Sequence, residues 1–395
     1  MPRTDGHTDT DKFRIVSEPG VTEVEPEGGT TASSAVKWTA LVLVLVLGLA
    51  LVLLVAEGGV RLRQWIRTGT AQSFTDMYRT DETIGLRVLN PGFRSRAISI
   101  NRSGFRGPEI ATPKPKGVIR VAFLGASTTF CAEVSSDAAV WPSIVVERLR
   151  QAYPQARFDF VNGGVPGYIV AASRKNLKHR VAALEPDIIV VYHATNDLSG
   201  EVRQRAIQAG IPGAAQAGRQ SWLERHSLLW ELVVKNLRVL EVQRGAGDGH
   251  AQRLSVDAKE LGRWFEPELG ALLREAKSTG ARVAVATFST RLRADQAVET
   301  QRQAAVSALV YMPFMSIDGL VAGYRRYNDI IRSAAVSEGV LLIGDEQRIP
   351  GDAAHFVDSV HFSDAGSRAM ADRVVATLAS DDNIAQRIRH ASPAP

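Results

Sequence analysis

A chain of 395 residues in which 45% of the side chains are hydrophobic can bury a substantial core, which excludes disorder of the whole. Its formal charge of +5 is uneven: residues 1–35 hold seven acidic and three basic side chains, so the remainder is basic. That basic body has no cationic run interleaved with aromatics, so nucleic acid is not an expected partner.

The single Cys131 cannot close an intrachain disulfide and is expected to be a small buried hydrophobe rather than a second nucleophile. Eight histidines are scattered without metal-ligand spacing, and there is no Walker loop or dinucleotide fingerprint. Neither a metal nor a cofactor is therefore expected.

In chain order, residues 1–35 are rich in Gly, Pro, Thr, Ser and acidic side chains and are expected to form a disordered acidic tail. Residues 36–56 follow as a transmembrane anchor, because positions 38–56 form a run of 19 residues with no charge. At 1.5 Å per residue such a run crosses a hydrocarbon core of about 30 Å. A cleaved signal peptide is the competing reading, but its leader is typically basic and this one is acidic. Lys37 precedes the run and Arg61, Arg63 and Arg67 follow it. The positive-inside rule taken alone would leave the large domain in the cytoplasm.

Residues 57–117 are punctuated by turn signals at Asn90-Pro91-Gly92, Ser103-Gly104 and Pro113-Lys114-Pro115, and are expected to wrap the next domain as short strands and loops. From residue 118 the pattern becomes regular. Apolar, β-branched runs at 118–124, 158–161, 188–192, 283–287 and 340–343 have strand length, and helical periodicity at 266–277 and 324–336 lies between them. A helix over 367–378 would close a domain spanning 118–379 and leave a polar tail at 380–395. This alternation implies right-handed crossovers and a parallel sheet covered by helices on both faces. Residues 198–263 exceed what a strand-to-strand connection needs. They read as an insertion or lid, or as an apolar stripe packed on the core, with Trp222, Leu229, Trp230, Val233, Leu237 and Leu240 at roughly helical spacing.

Four short segments carry chemistry. Gly125-Ala126-Ser127-Thr128 follows the first strand, where a parallel sheet forms its sites and a starting helix points free N–H groups at an anion. This places Ser127 for nucleophilic attack, against the alternative of a simple helix cap. Asn162-Gly163-Gly164-Val165-Pro166-Gly167 follows the second strand, and its glycines let a backbone N–H approach a ligand closely. In Ala194-Thr195-Asn196-Asp197 the Asn196 amide is a further candidate donor to an oxyanion, whereas Asp197 reads as a loop anchor. The last segment is ambiguous, because Asp352 precedes His355 and Asp358 precedes His361 by the same three residues. Either pair could orient a general base. Asp358 and His361 are preferred because the helix expected directly after them would hold them rigidly, which leaves His355 as a rim residue.

These four blocks resemble the SGNH, or GDSL, hydrolase family over about residues 118–378, and the resemblance implies a three-layer α/β/α fold with a parallel, flavodoxin-like five-stranded sheet. The resemblance implies Ser127 as nucleophile and first oxyanion donor, Gly167 and Asn196 as the other donors, His361 as base and Asp358 as its orienter. Ala126 and Ala194 depart from the aspartate and glycine usual in the family, which bears on substrate and loop geometry. The Asn101-Arg102-Ser103-Gly104-Phe105-Arg106-Gly107 segment together with the anchor is similar to envelope-associated bacterial members. It implies a single-pass protein of the cytoplasmic membrane with an extracytoplasmic catalytic domain. The expected function is a serine esterase that cleaves a short acyl ester, such as an O-acetyl group, from a cell-envelope glycan or lipid. The alternatives are an O-acyltransferase that uses the same acyl-enzyme and a silent glycan-binding or assembly factor.

Overall fold

The computed structural model describes residues 34–70, 74–216, 221–245, 254 and 257–391. The expected acidic tail lies almost wholly outside them. The chain divides into two compact units, residues 1–54 and 55–395. In the first, the apolar run forms most of helix α1 (Ser34–Thr68), with Leu and Val side chains exposed along its length and none buried. The helix does not stop at Ala56. Residues 57–68 are helical too, because no Pro or capping signal interrupts the polar continuation, and this corrects the expectation of strands and loops there.

The second unit begins with the last part of α1, and an antiparallel hairpin, β1 (Tyr78–Asp81) and β2 (Leu86–Leu89), comes after it. An irregular stretch follows, and its Phe93, Ile98 and Ile100 are buried against Ala126, Phe130, Val165 and Tyr168, the residues beneath the candidate site loops. Arg106 ends this stretch fully buried, paired with Asp137 at 2.8 Å and donating to the carbonyls of Phe130, Cys131 and Ala97 at 2.6–2.7 Å. A buried guanidinium is tolerated only when its donors are met in this way.

The sheet is parallel throughout, in the order β4 (Arg157–Asn162), β3 (Val118–Gly125), β5 (Ile188–Tyr192), β6 (Arg282–Ala286), β7 (Leu341–Ile343). This is the flavodoxin-like order, with its switch point between β3 and β5. Strands covered on both faces read as continuous apolar runs, and every residue of β5 is buried. Arg120 is the exception within β3. It too is fully buried, and both of its terminal contacts to Asp159 are 2.7–2.8 Å.

Helices α3 (Trp141–Ala152) and α11 (Asp364–Ala379) pack together on one face, while α4 (Val170–Asn176), α8 (Phe265–Ser278) and α10 (Ile317–Glu338) cover the other. The core between them is sealed by aromatic contacts, including Phe123 edge-on to Trp141 at 5.0 Å and Tyr192 stacked on Phe288 at 4.8 Å. The stretch expected to be a polar tail instead forms α12 (Asp382–Ala391), which docks because Ile384 and Ile388, four residues apart, are fully buried.

The region 198–263 contains α5 (Thr195–Gln208), α6 (Trp222–His226) and α7 (Leu228–Gly245). The apolar stripe of α7 is not packed on the core. No residue of that helix is buried, and Trp230, Val233, Leu237 and Leu240 all face outward. Helix α7 rests instead on α6 and on α9 (Val298–Tyr311).

Candidate active site

The carboxyl ends of β3, β4 and β5 and the loop that follows β7 deliver the four sequence segments to one edge of the sheet. After β3 the chain turns at once into a single helical turn, α2 (Ser127–Phe130), whose N-cap position is Ala126. Ser127 is therefore the first helical residue and does not cap the turn. Its hydroxyl is partly exposed and lies 2.8 Å from His361 Nε2. On the other side of the ring, His361 Nδ1 is 2.8 Å from Asp358 Oδ2, while Asp358 Oδ1 accepts from the backbone N–H groups of Val360 and His361, each at 2.9 Å. Serine, imidazole and carboxylate thus form one hydrogen-bonded line across 234 residues of sequence.

The second Asp–His pair copies half of this geometry. His355 Nδ1 is 2.8 Å from Asp352 Oδ1, and the His355 N–H also reaches that oxygen at 3.0 Å. The local turn is the same because the three-residue spacing is the same. Only the His361 ring reaches Ser127. Helix α9 fixes the preferred loop from beneath: Ser359 Oγ donates to Ala304 O at 2.6 Å and accepts from Ala308 N at 3.0 Å, and Ser359 N donates to Ser307 Oγ at 2.9 Å. Sequence reasoning gave Ser359 no part, because its partners come from a helix with no motif of its own.

A second carboxylate missed in the sequence is Glu133, whose Oε1 is 4.0 Å from His361 Nδ1. Burial favours the neutral imidazole, but the Asp358 hydrogen bond and the charges of Glu133 and Asp358 outweigh it and raise His361 above its ordinary value of 6.5. For Asp358, burial favours the neutral acid, but the hydrogen bond to His361 and its charge hold the carboxyl below its ordinary range. Cys131 is unlike either of them. Burial pushes its thiol up to about 12, so it stays protonated and unreactive.

The loop after β4 lies close against α2. Gly163 N donates to Phe123 O at 2.8 Å, and a Cβ on Gly164 would fall 2.7 Å from Phe130 N, so only glycine permits this approach. Gly167 has φ +86°. Its N–H has no hydrogen-bond partner among the described residues, and neither has that of Ser127, as the first turn of a helix dictates. Asn196, in the first turn of α5, donates one amide hydrogen to Tyr168 O at 2.9 Å, which ties the third segment to the residue after Gly167 and leaves the second hydrogen for another acceptor. The hairpin braces this loop. Arg87 Nη2 donates to Pro166 O at 2.6 Å, and the Tyr168 hydroxyl donates to Arg87 O at 2.8 Å. Asp197 accepts from Val170 N at 3.0 Å at the start of α4, and burial raises its carboxyl to about 7. Beneath it His193, pushed down to about 3 by burial, meets Ser173 Oγ at 2.8 Å.

Among the described residues no group of three or more His, Cys, Asp or Glu side chains could hold a metal ion. The arrangement can instead pass a proton from a serine hydroxyl to an imidazole that is already oriented and electrostatically supported.

A flavodoxin-like parallel sheet with a serine, a glycine loop, an asparagine and an Asp–His turn at its carboxyl edge defines an SGNH-type ester hydrolase. The chain belongs to the GDSL-like lipase/acylhydrolase family, whose model matches residues 123–369 and so spans all four segments. It is similar to solved structures of an acetyl xylan esterase (15% identity over 65% of this chain and 98% of that one, TM-score 0.38). It is also similar to a lipase/acylhydrolase from Enterococcus faecalis (14%, 66% and 95%, TM-score 0.39). A third such structure is an acetylxylan esterase from Geobacillus stearothermophilus (15%, 67% and 95%, TM-score 0.40). No curated protein matches the chain.

Proposed function

We propose that Ser127 is the nucleophile of an acyl-enzyme mechanism, with His361 as general base and Asp358 as its orienting carboxylate. The unbroken 2.8 Å contacts from Asp358 through His361 to Ser127 carry this reading. Ser127 Oγ attacks the ester carbonyl carbon as His361 Nε2 takes its proton, and the tetrahedral oxyanion is received by the N–H groups of Ser127 and Gly167 and the free amide hydrogen of Asn196. As the intermediate collapses, the bond to the alcohol oxygen breaks and His361 returns the proton to the leaving alkoxide. Water then repeats the sequence on the acyl-enzyme.

The substrate in this proposal is a short acyl ester, O-acetyl being the simplest, carried on a cell-envelope glycan or lipid. Two features support it. The nucleophile is partly exposed, which suits an ester presented on a large carrier, and the one long apolar helix is suited to holding the enzyme at the envelope. In this reading residues 36–56 are an uncleaved anchor in the bacterial cytoplasmic membrane and the domain 118–379 faces outward.

Fluorophosphonate labelling of the full chain tests the assignment. The probe is expected on Ser127, with labelling and aryl-acetate hydrolysis both lost in Ser127→Ala. Labelling at another residue, or full turnover by that folded variant, would overturn it.

A further inference from the structure

Helices α6 and α7 present an apolar surface that no described residue covers. Trp230, Val233, Leu237 and Leu240 stand at positions i, i+3, i+7 and i+10 of α7, which puts them on one side of the helix, away from its half-buried Arg238, Val239 and Val242. Leu237 is 59% exposed, and Trp222 of α6, at 63%, adds a second indole. Scattered apolar residues on a surface are ordinary, but four large apolar side chains in line on one side of a helix, with a further exposed indole on the helix before it, mark a partner.

The hydrogen bonds around Glu57 indicate which partner. Its carboxylate accepts from Leu228 N at 3.1 Å, Leu229 N at 2.9 Å and Ser227 Oγ at 2.9 Å, which caps the free N–H groups at the start of α7. Glu57 is also the first charged residue after the uncharged run of α1. The first turn of α7 is therefore tied to the point in the sequence where α1 stops being apolar. Exposed charges continue along both helices: Arg63 and Arg67 on α1, and on the outer side of α7 Arg244 beside Glu241. A tryptophan and two leucines on the exposed side of a helix, with Arg244 on that same side, match the headgroup region of an anionic bilayer, where indole is preferred and basic side chains meet lipid phosphate.

We propose that the outer face of α6 and α7 lies in the headgroup layer of an anionic membrane. This goes beyond the anchor proposed for residues 36–56 and shares its lipid partner. Helix α7 packs on α9, and α9 holds Ser359 between Asp358 and His361, so this contact also sets the height of the catalytic loop above the lipid.

The buried Cys131 is the only native thiol, so single surface cysteines can be labelled selectively. Full chains carrying Leu237→Cys, Val336→Cys or Val46→Cys are labelled with nitrobenzoxadiazole and reconstituted in phosphatidylglycerol/phosphatidylcholine vesicles with or without spin-labelled phosphatidylcholine. Val336, on α10 and 82% exposed, is the soluble reference, and Val46 reports the anchor alone. The expected result is quenching at position 237 at least threefold greater than at 336. Equal quenching at the two positions overturns the proposal, whatever position 46 shows. So does a blue-shifted label at 237 that lipid quenchers do not reach and that reverts on dilution, since that would mean a second copy of the chain covers the face. A lack of quenching at 46 with quenching retained at 237 would reject the anchor and keep this surface. Leu240→Cys provides the same reading if the Leu237 variant does not fold.

Discussion

Replacing Asp358 by asparagine removes one proton acceptor and no volume, and the structure dictates how the amide must sit. Oδ1 of the native carboxylate is held by two backbone N–H donors, from Val360 and His361, at 2.9 Å each. The carbonyl oxygen of the asparagine must take that place, because the opposite orientation would set an NH2 group against two N–H groups and leave all of them unpaired. At about 1–3 kcal/mol for each of the two unsatisfied donors, the reversed orientation is disfavoured by about 2–6 kcal/mol. The NH2 group therefore faces His361 Nδ1 and forces the imidazole proton onto Nε2, the nitrogen 2.8 Å from Ser127 Oγ that must be free to accept. A further 1.5–3 kcal/mol is lost because the imidazolium no longer meets a charged partner. Together the lower limits of these two terms correspond to a fall of at least about 300-fold in kcat, at about 1.4 kcal/mol per factor of ten. The assay is steady-state hydrolysis of p-nitrophenyl acetate, with circular dichroism to establish folding. A folded Asp358→Asn variant that keeps more than a tenth of wild-type kcat would refute the tautomer argument and the role given to Asp358.

The two histidines, so alike in their own turns, should separate cleanly: His361→Ala is expected to lose at least about 10³-fold in kcat, and His355→Ala to stay within a few-fold of wild type. The reverse order in folded variants would transfer the base to His355. Asn196→Ala should lower kcat by about 10²–10³-fold, the usual effect of losing one oxyanion donor, with a much smaller change in KM; an unchanged kcat would show that the amide serves only Tyr168. The kcat/KM profile should rise with pH as His361 loses its proton, with its acid limb above the ordinary imidazole value because the folded pKa is raised. Glu133→Gln removes a negative charge 4.0 Å from Nδ1 and should move that limb to lower pH, so an unmoved limb would show that Glu133 does not act on the base.

The sheet was readable because its strands are buried on both faces, so that hydrophobicity runs without a break: β5 coincides with its sequence run, and β3, β4 and β6 differ by a residue at one end or both. The segments that hold Ser127, Gly167 and Asn196 were legible as loops at one sheet edge for a related reason, since each segment begins at the end of such a run. The choice between Asp352–His355 and Asp358–His361 was not settled by local chemistry, because both turns make the same Nδ1 contact. It depends on Ser127, 234 positions away, and on the α9 serine that grips Ser359. Glu133 and Arg87 had no signal at all, as a lone charged residue in a loop or hairpin says nothing about what it faces. Whether the α7 stripe belongs to a lid or packs on the core was not readable, because helical periodicity reports an apolar face without reporting whether protein covers it. Helix α12 was hidden by polar composition, although two isoleucines four apart were enough to dock it.

The buried Arg106 bears on how such enzymes exchange parts. The family match begins at residue 123, which invites the view of a portable catalytic cassette attached to a replaceable leader. The guanidinium contradicts that view, because it comes from upstream of the cassette and supplies the hydrogen-bond donors for the carbonyls of Phe130 and Cys131, which close the turn begun by Ser127. A chimera cut at residue 123 would inherit those carbonyls without their donors, together with the empty volume the side chain had filled. The leader and the catalytic block can therefore be exchanged only as one piece, with any viable crossover falling before the β1–β2 hairpin.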